Sequence, residues 1–217
     1  MSQSDSFIEE VTEEVRRDKF YAFLKKYGWI GILAVVVLVG GAAFNEYNKA
    51  KNRQQAEAFG DAISAALGAD NAAARADALA TVPAEGDAQV IAAMLRAGEL
   101  EAAGDPKAAI AVLAPLTADD MLDPVYRDLA VLKTAMIGAA DIAPEDRIAQ
   151  LAAIASPGAP YRLLAEEQIA AAQAEMGDVG AAIEGYRALS QDVAASSALR
   201  RRAAQMMVAL GADPAAE

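Results

Sequence analysis

The side chains of this chain that could take part in chemistry are carboxylates, tyrosines and arginines, because its 217 residues include no histidine and no cysteine. Without histidine the chain lacks the commonest general base and the usual zinc ligand. Without cysteine it lacks thiolates and disulfide bonds. An enzyme made from it, such as a carboxylate-dependent hydrolase, would need two carboxylates that converge in a cleft. The composition therefore favours a non-catalytic protein with no cofactor and no metal site.

Two pairs of adjacent carboxylates, Asp119-Asp120 and Glu166-Glu167, come nearest to such a site. Neighbouring residues on a helix differ by about 100° in direction, so their side chains point apart. Neither pair is expected to act as an acid–base dyad or to hold a metal ion. For the same reason Arg200-Arg201-Arg202 faces three sides of one helix, which we interpret as a solvated capping helix.

Two tyrosine–arginine pairs, Tyr126-Arg127 and Tyr161-Arg162, are the best candidates for binding another protein. They lie 35 residues apart, at equivalent early positions of two predicted helices. Tyrosine and arginine are enriched at the hot spots of protein interfaces, and on a stacked solenoid these positions would line the concave surface. The alternative is structural: each tyrosine packs between repeats, and each arginine pairs with nearby Asp128 or Glu166.

These side chains are positioned by a repeat of helix pairs. Four predicted pairs align on their internal turns, whose aspartates are spaced 35, 36 and 37 residues apart: Ala69-Asp70, Gly104-Asp105, Ala140-Asp141 and Gly177-Asp178. A period near 34 with two helices per unit is typical of tetratricopeptide repeats. Stacked units bury faces that a single pair would leave exposed. The repeat therefore predicts a tetratricopeptide-like α-solenoid of about four helix pairs.

Turn residues support the same helix boundaries. Asp105-Pro106 and Asp123-Pro124 each place an N-cap acceptor before a proline at the first helical position. Gly104 and Gly177 suit left-handed residues at helix ends. No alternating apolar pattern is long enough for a strand, so the fold class is all-α. Helices are predicted at 6–27, 28–67, 71–81, 87–103, 106–117, 124–138, 145–155, 159–176, 179–190 and 196–210.

The segment from Tyr27 to Asn45 contains 19 residues without a charge. As a helix it would reach about 28 Å, close to the hydrocarbon thickness of a bilayer. Six acids among residues 1–26 disfavour the alternative of a cleaved signal peptide; a buried soluble helix is the other alternative. The residues predicted to face lipid are Trp29, Ile32, Val36, Leu38 and Phe44.

Basic residues on the two flanks predict the orientation of this segment. Five of them precede it and three follow within a similar distance, which favours a cytoplasmic amino terminus. We therefore predict a cytoplasmic amphipathic tail at 1–27, a transmembrane helix at 28–46 and a domain at 47–217. In a bacterium this orientation puts the protein in the inner membrane and its domain in the periplasm.

The tail is predicted to be a docking helix for a membrane partner. Ser6 and Glu9 form a capping box, and Ile8, Val11 and Val15 form a short apolar stripe. The alternative is an amphipathic helix that lies on the inner leaflet.

The charge of the chain also limits its partners. The formal net charge is -12, and residues 45–217 hold 25 acids against 14 bases. A domain this acidic, without a large basic patch, argues against nucleic acid. We expect protein partners and no small-molecule substrate.

Several motifs resemble one family. They are Ile8-Glu9-Glu10-Val11, Glu14-Val15-Arg16-Arg17-Asp18-Lys19, Leu24-Lys25-Lys26-Tyr27-Gly28, Leu122-Asp123-Pro124-Val125-Tyr126-Arg127-Asp128-Leu129-Ala130, Pro157-Gly158-Ala159-Pro160-Tyr161-Arg162, Ala165-Glu166-Glu167, Gly177-Asp178, Leu199-Arg200-Arg201-Arg202-Ala203 and Leu210-Gly211. In these motifs, and in the order of its parts, the chain is similar to the membrane-anchored, tetratricopeptide-like ancillary subunits of the bacterial Sec translocon (YfgM-like family), in their proteobacterial form. Residues 60–85 depart from the pattern.

The resemblance implies a non-catalytic scaffold beside the translocon. Its implied partners are translocon subunits, periplasmic chaperones and newly exported chains. The alternatives are a coordinator of envelope growth, or an assembly factor or accessory subunit of another inner-membrane complex.

Overall fold

The structure, a computed structural model, describes residues 3–212, without the side chains of residues 3–15, 18, 19 and 22. Within that range it contains nine α-helices and no strand, which confirms the all-α prediction. A single 3-10 turn, Gly138–Ala140, follows the fifth helix. The helices are α1 (Gln3–Leu67), α2 (Ala72–Ala80), α3 (Asp87–Ala102), α4 (Pro106–Thr117), α5 (Pro124–Ile137), α6 (Pro144–Ala152), α7 (Arg162–Glu175), α8 (Val179–Gln191) and α9 (Ser197–Ala209).

The first helix is longer than predicted. The predicted helices at 6–27 and 28–67 are one continuous helix, α1, with no break at Gly28. A glycine inside a helix costs only about 1 kcal/mol relative to alanine, which the helix-forming residues on both sides outweigh. The chain forms two compact units, Met1–Ala58 and Phe59–Glu217, so the last turns of α1 belong to the second unit.

The other predicted helices agree with the structure to within three residues at each end. The largest difference at a helix start is in α7, which begins at Arg162 instead of residue 159. Pro160 disfavours the α conformation of Ala159, and Gly158 has a φ of 86°. The chain therefore turns through this segment before the helix can begin.

Two of the four predicted turns share one geometry. Gly104 and Gly177 each have a φ of 82°, which only glycine adopts without strain. After each glycine an aspartate caps the next helix: Asp105 Oδ1 accepts from the N–H of residue 108 at 3.0 Å, and Asp178 Oδ1 from that of residue 181 at 3.1 Å. These turns join α3 to α4 and α7 to α8.

The other two predicted turns differ from this geometry. Asn71, and not Asp70, caps α2, with its Oδ1 accepting from the N–H of Ala74 at 2.9 Å. Asp141 does not cap a helix; it follows the 3-10 turn, and α6 begins three residues later at Pro144. Both turns lack the glycine that allows the sharper connection. The prediction of four equivalent turns is therefore wrong for these two.

The apolar core of the second unit contains three clusters in chain order. From α2 onward each helix packs against the next, and α3 also touches α5 as α5 touches α7. Consecutive helices supply each cluster, so the core is assembled from local neighbours. The clusters are Ala97, Ala109, Leu113 and Ile137; then Leu132, Ala135, Leu151, Ile154 and Ala165; and finally Ala170, Tyr186, Leu189, Ala195, Leu199, Ala203 and Met207.

Replacement by alanine should have opposite effects on stability at two glycines. Gly104→Ala forces an alanine to a φ of 82°, and the left-handed conformation costs about 1–2 kcal/mol. Gly98→Ala is the matched control inside α3, where a new Cβ meets nothing within 4 Å. This replacement should raise the free energy of unfolding by about 0.5–1 kcal/mol. Urea unfolding of the detergent-solubilised full chain, followed by circular dichroism, measures both; equal shifts would contradict this account of the turn.

Candidate protein-binding site

The apolar segment of α1 is exposed in the structure. Its predicted lipid-facing side chains Trp29, Ile32, Val36, Leu38 and Phe44 are 59–73% exposed. No residue of the most apolar 18-residue window is buried, and the mean hydropathy of that window is 2.1. By length and composition, α1 is the one helix within residues 3–212 that can cross a membrane.

The tail positions of the candidate site are outside what the structure describes in side-chain detail. Ile8, Val11 and Val15 lie in α1, but their side chains are among those not described. The docking role of these three residues therefore stays a prediction.

Arg162 links the beginning of α7 to the end of α8. Its Nη1 donates to both oxygens of Glu166, at 3.0 and 3.1 Å, and its Nη2 donates to Asp192 Oδ2 at 2.7 Å. The hydrogen bond from Arg162 lowers the pKa of Asp192 below its usual 3.8, and the backbone N–H of Ala194 acts in the same direction. The same carboxylates raise the pKa of Arg162, Asp192 first. The Arg162–Asp192 pair therefore stays ionised at neutral pH.

Tyr161 is half-buried at the N-cap of α7 and packs against the second cluster of the core. Burial raises the pKa of its hydroxyl, and the nearby charges of Asp128 and Tyr126 raise it further. Tyr126 lies instead in the first turn of α5. The two tyrosines are therefore neighbours, but the prediction that they hold equivalent positions is wrong, because the turn at Pro160 delays α7.

The arginines of both pairs have ionic partners, as the structural alternative proposes. Arg127 Nη1 lies 3.5 Å from Asp120 Oδ1, so the ionic partner of Arg127 is Asp120 and not the predicted Asp128. The Asp120 side chain is 98% exposed, and a pair this open to water contributes little stability. Arg162 has the predicted partner Glu166 and also Asp192.

The two members of each adjacent carboxylate pair have different partners. Glu166-Glu167 lies in α7, as the helical argument requires, but Asp119-Asp120 lies in the loop between α4 and α5, so the helical reason given for that pair is wrong. Glu166 accepts from Arg162 within α7, whereas Glu167 accepts two hydrogen bonds from Arg202 of α9, at 2.8 and 2.7 Å. In the other pair, Asp119 accepts the N–H of residue 121 at 2.8 Å and Asp120 pairs with Arg127. All four carboxylates are therefore engaged with groups inside the chain.

The three consecutive arginines of α9 also have three different surroundings. Arg200 Nη1 donates to the carbonyl oxygen of Ala195 at 2.7 Å, and Arg202 pairs with Glu167. Arg201 is exposed. This arrangement confirms that the run faces different sides of its helix and does not form one clamp.

A groove between α7 and α8 is a feature that the sequence did not point to. It encloses about 410 Å³. Gly185 lies on its floor, and a Cβ there would be only 3.1 Å from the Cβ of Ala170. The spacing of small residues on the two helices could have indicated the groove, but the same spacing is found wherever helices pack together. The groove is lined by Arg162, Glu166, Ile169, Ala170, Gln173, Ala181, Glu184, Gly185, Ala188 and Asp192.

No protein-family model matches the chain, and comparisons with curated proteins and with solved structures find no match. The side chains described above, together with the motifs in the sequence, therefore carry the functional inference.

The Arg162 cluster predicts a pH-dependent contribution to stability. Because the pKa of Asp192 is lower in the folded chain, its ionised form stabilises the fold above pH 3.8. This contribution is lost as the pH falls through the lowered pKa. Arg162→Gln should therefore lower the free energy of unfolding at pH 7, and the difference from the wild type should shrink below pH 3.8.

Arg201→Gln is the matched control, since this exposed arginine has no ion pair among the described residues. Its effect should stay within about 0.5 kcal/mol at every pH. Urea unfolding of both variants across the pH range measures the two differences. If the difference in unfolding free energy between Arg162→Gln and the wild type did not change with pH, the stabilising role assigned to the ionised Asp192 would be contradicted.

Proposed function

We propose that this chain is a membrane-anchored, non-catalytic protein-interaction scaffold, an ancillary subunit of the bacterial Sec translocon of the YfgM-like kind. It works with periplasmic chaperones on exported proteins. The observation that carries the proposal is the exposed apolar surface between residues 27 and 45. The motifs of the tail and of the α4–α5, α6–α7 and α9 segments supply the resemblance to that family.

The exposed apolar surface supports a single membrane span. Moving one Val, Leu, Ile or Phe side chain out of water gains about 1.5–3 kcal/mol. Trp29, Ile32, Val36, Leu38 and Phe44 are all exposed together, so lipid lowers the free energy of this segment strongly. The excess of basic residues before the span supports a cytoplasmic amino terminus and a periplasmic domain in the inner membrane.

The packing of the second unit supports a tetratricopeptide-like solenoid. Contacts run from each helix to the next and, at α3–α5 and α5–α7, to the one after it. This pattern is expected when helix pairs stack in chain order. The pair formed by the end of α1 with α2 is the least regular, because these helices touch less than any later consecutive pair.

The engaged carboxylates support a scaffold over an enzyme. Asp119, Glu166 and Glu167 each accept a hydrogen bond from a backbone N–H group or an arginine, whereas the exposed Asp120 only pairs loosely with Arg127. A general base must be free to accept a proton from a substrate. The surfaces left for function are those that bind proteins, with Tyr126, Arg127, Tyr161 and Arg162 on the domain and the apolar stripe on the tail.

The first test is the orientation of the chain in the membrane. The natural chain has no cysteine, so a single introduced thiol reports its own side of the membrane. A membrane-impermeant maleimide should label Val193→Cys, whose parent side chain is 97% exposed, in spheroplasts with an intact inner membrane. Ser4→Cys should be labelled only after the membrane is disrupted. The wild-type chain is the unlabelled control, and labelling of Ser4→Cys in intact spheroplasts would contradict the orientation.

The second test is the association with the translocon. Replacing Ile8, Val11 and Val15 by serine should reduce co-purified translocon subunits by about tenfold, the result of losing about 1.4 kcal/mol. A matched control replaces Glu10, Glu13 and Arg17 of the same helix by glutamine and should keep the association. Both variants should remain in the membrane fraction.

Photo-crosslinking in intact cells from positions 8, 126 and 161 separates the alternatives. Adducts with translocon subunits, chaperones or exported chains support the proposal. Adducts only with a cell-envelope growth machinery or with another inner-membrane complex would replace it by one of the alternative functions.

A further inference from the structure

We infer that the groove between α7 and α8 is a docking site for a basic, amphipathic helical segment of a protein partner. The inference rests on the proposed function in one respect, that the partners of the chain are proteins. It adds which surface of the domain binds, and which chemistry the partner must present.

The shape of the groove fits a helical segment. Its lining on α7 extends from Arg162 to Gln173, eleven residues or about 16 Å of helix. The opposite wall on α8 extends from Ala181 to Asp192, in the reverse direction. Such a length accommodates about three turns of a docked helix. Because Ala181, Gly185 and Ala188 on the α8 wall have small side chains or none, a guest helix can approach that wall closely.

The floor of the groove is apolar. Ile169, Ala170, Ala181 and Ala188 line it, and Gly185 adds no side chain. Ala188 is exposed, whereas Ala170 is only 1% exposed. An amphipathic helix laid in the groove would bury apolar side chains against this floor, which is the usual mode of helix-in-groove recognition.

The charge of the groove selects a basic guest. The lining contains one cation, Arg162, and three carboxylates, so two negative charges are left over. Arg162 already donates to Glu166 and Asp192, so it offers little to an anionic guest. Glu184 is exposed and has no ion pair with the side chains that the structure describes, which are those of residues 16–212 except 18, 19 and 22.

Lysine and arginine match both properties of the groove. Their aliphatic stems pack on apolar surface while their charged ends reach outward. A basic residue over Ala181 or Ala188 would bring its charge to Glu184, which is on the same helix within one turn of both. An acidic or purely apolar guest satisfies only one of the two properties.

The test measures peptide binding to the full-length protein in nanodiscs of neutral phosphatidylcholine. The probe is a fluorescent peptide of about 15 residues, made of lysine, alanine and leucine with lysines on one face. A second peptide of the same design carries glutamate in place of lysine. Fluorescence anisotropy should show binding of the lysine peptide and none of the glutamate peptide, and the binding should weaken as salt rises from about 0.05 to 0.5 M.

Variants locate the binding in the groove. Glu184→Lys reverses an exposed charge without breaking an ion pair and should weaken the lysine peptide by about tenfold. Glu101→Lys makes the same charge change at an exposed site of α3 and should alter binding by no more than about twofold. Ala188→Trp fills the groove without a change of charge and should also weaken binding by about tenfold.

Several outcomes would overturn the inference. They are failure of the lysine peptide to bind, equal binding of the glutamate peptide, and equal effects of Glu184→Lys and Glu101→Lys. A wild-type chain that dimerises in solution through the groove, lost with Ala188→Trp, would assign the groove to a second copy of this chain instead.

The two proposals can fail separately. Glu184→Lys should keep its membrane location and its co-purified translocon subunits, because the predicted translocon contact is on the tail. If only the preference for the lysine peptide is absent, the docking inference fails and the proposed function stands. If the wild type does not associate with the translocon, the proposed function fails, and the peptide measurement still tests the groove.

Discussion

Close approach of helices at alanine is the constraint on which the second unit depends. Alanines are frequent among the buried residues, and seven of them have no exposed surface: Ala97, Ala109, Ala130, Ala165, Ala172, Ala182 and Ala203. Because each buries little apolar area, the fold needs many such contacts in place of a few large ones. Larger side chains such as Leu113, Tyr186 and Met207 then fill the space between helices.

Because small residues let the helices pack closely, long side chains on the surface can reach from one helix to its neighbour. Arg162 joins α7 to the residue after α8, Arg202 joins α9 to α7, and Arg75 joins α2 to Glu99 of α3. These ion pairs connect neighbouring helices at their edges.

Helix positions were predictable where turn chemistry is local. Asp105 and Asp123 cap their helices as expected, because the acceptor and the donor are only two or three residues apart in the sequence. The continuity of α1 was missed, since a single glycine does not decide whether a helix ends. The partner of Arg127 was also missed, because Asp128 and Asp120 are both near it in the sequence and only the loop geometry selects Asp120.

The groove could not be predicted because it depends on contacts between helices. Its walls combine residues 162–173 with residues 181–192, and their facing sides are decided by how closely α7 and α8 approach at Gly185. In the sequence these same residues read as an ordinary amphipathic pair. The balance of three carboxylates against one arginine becomes visible only when both helices are placed side by side.

The division of the core into three clusters has a consequence for the local unfolding of the chain. Neighbouring clusters share one helix, α5 or α7, but α9 contributes only to the last cluster. It can therefore separate from that cluster while Leu113 and its neighbours stay packed. Amide protons would then exchange with solvent in blocks, rather than in one concerted event. A domain that loosens in segments can change shape at one end while the other end keeps its form.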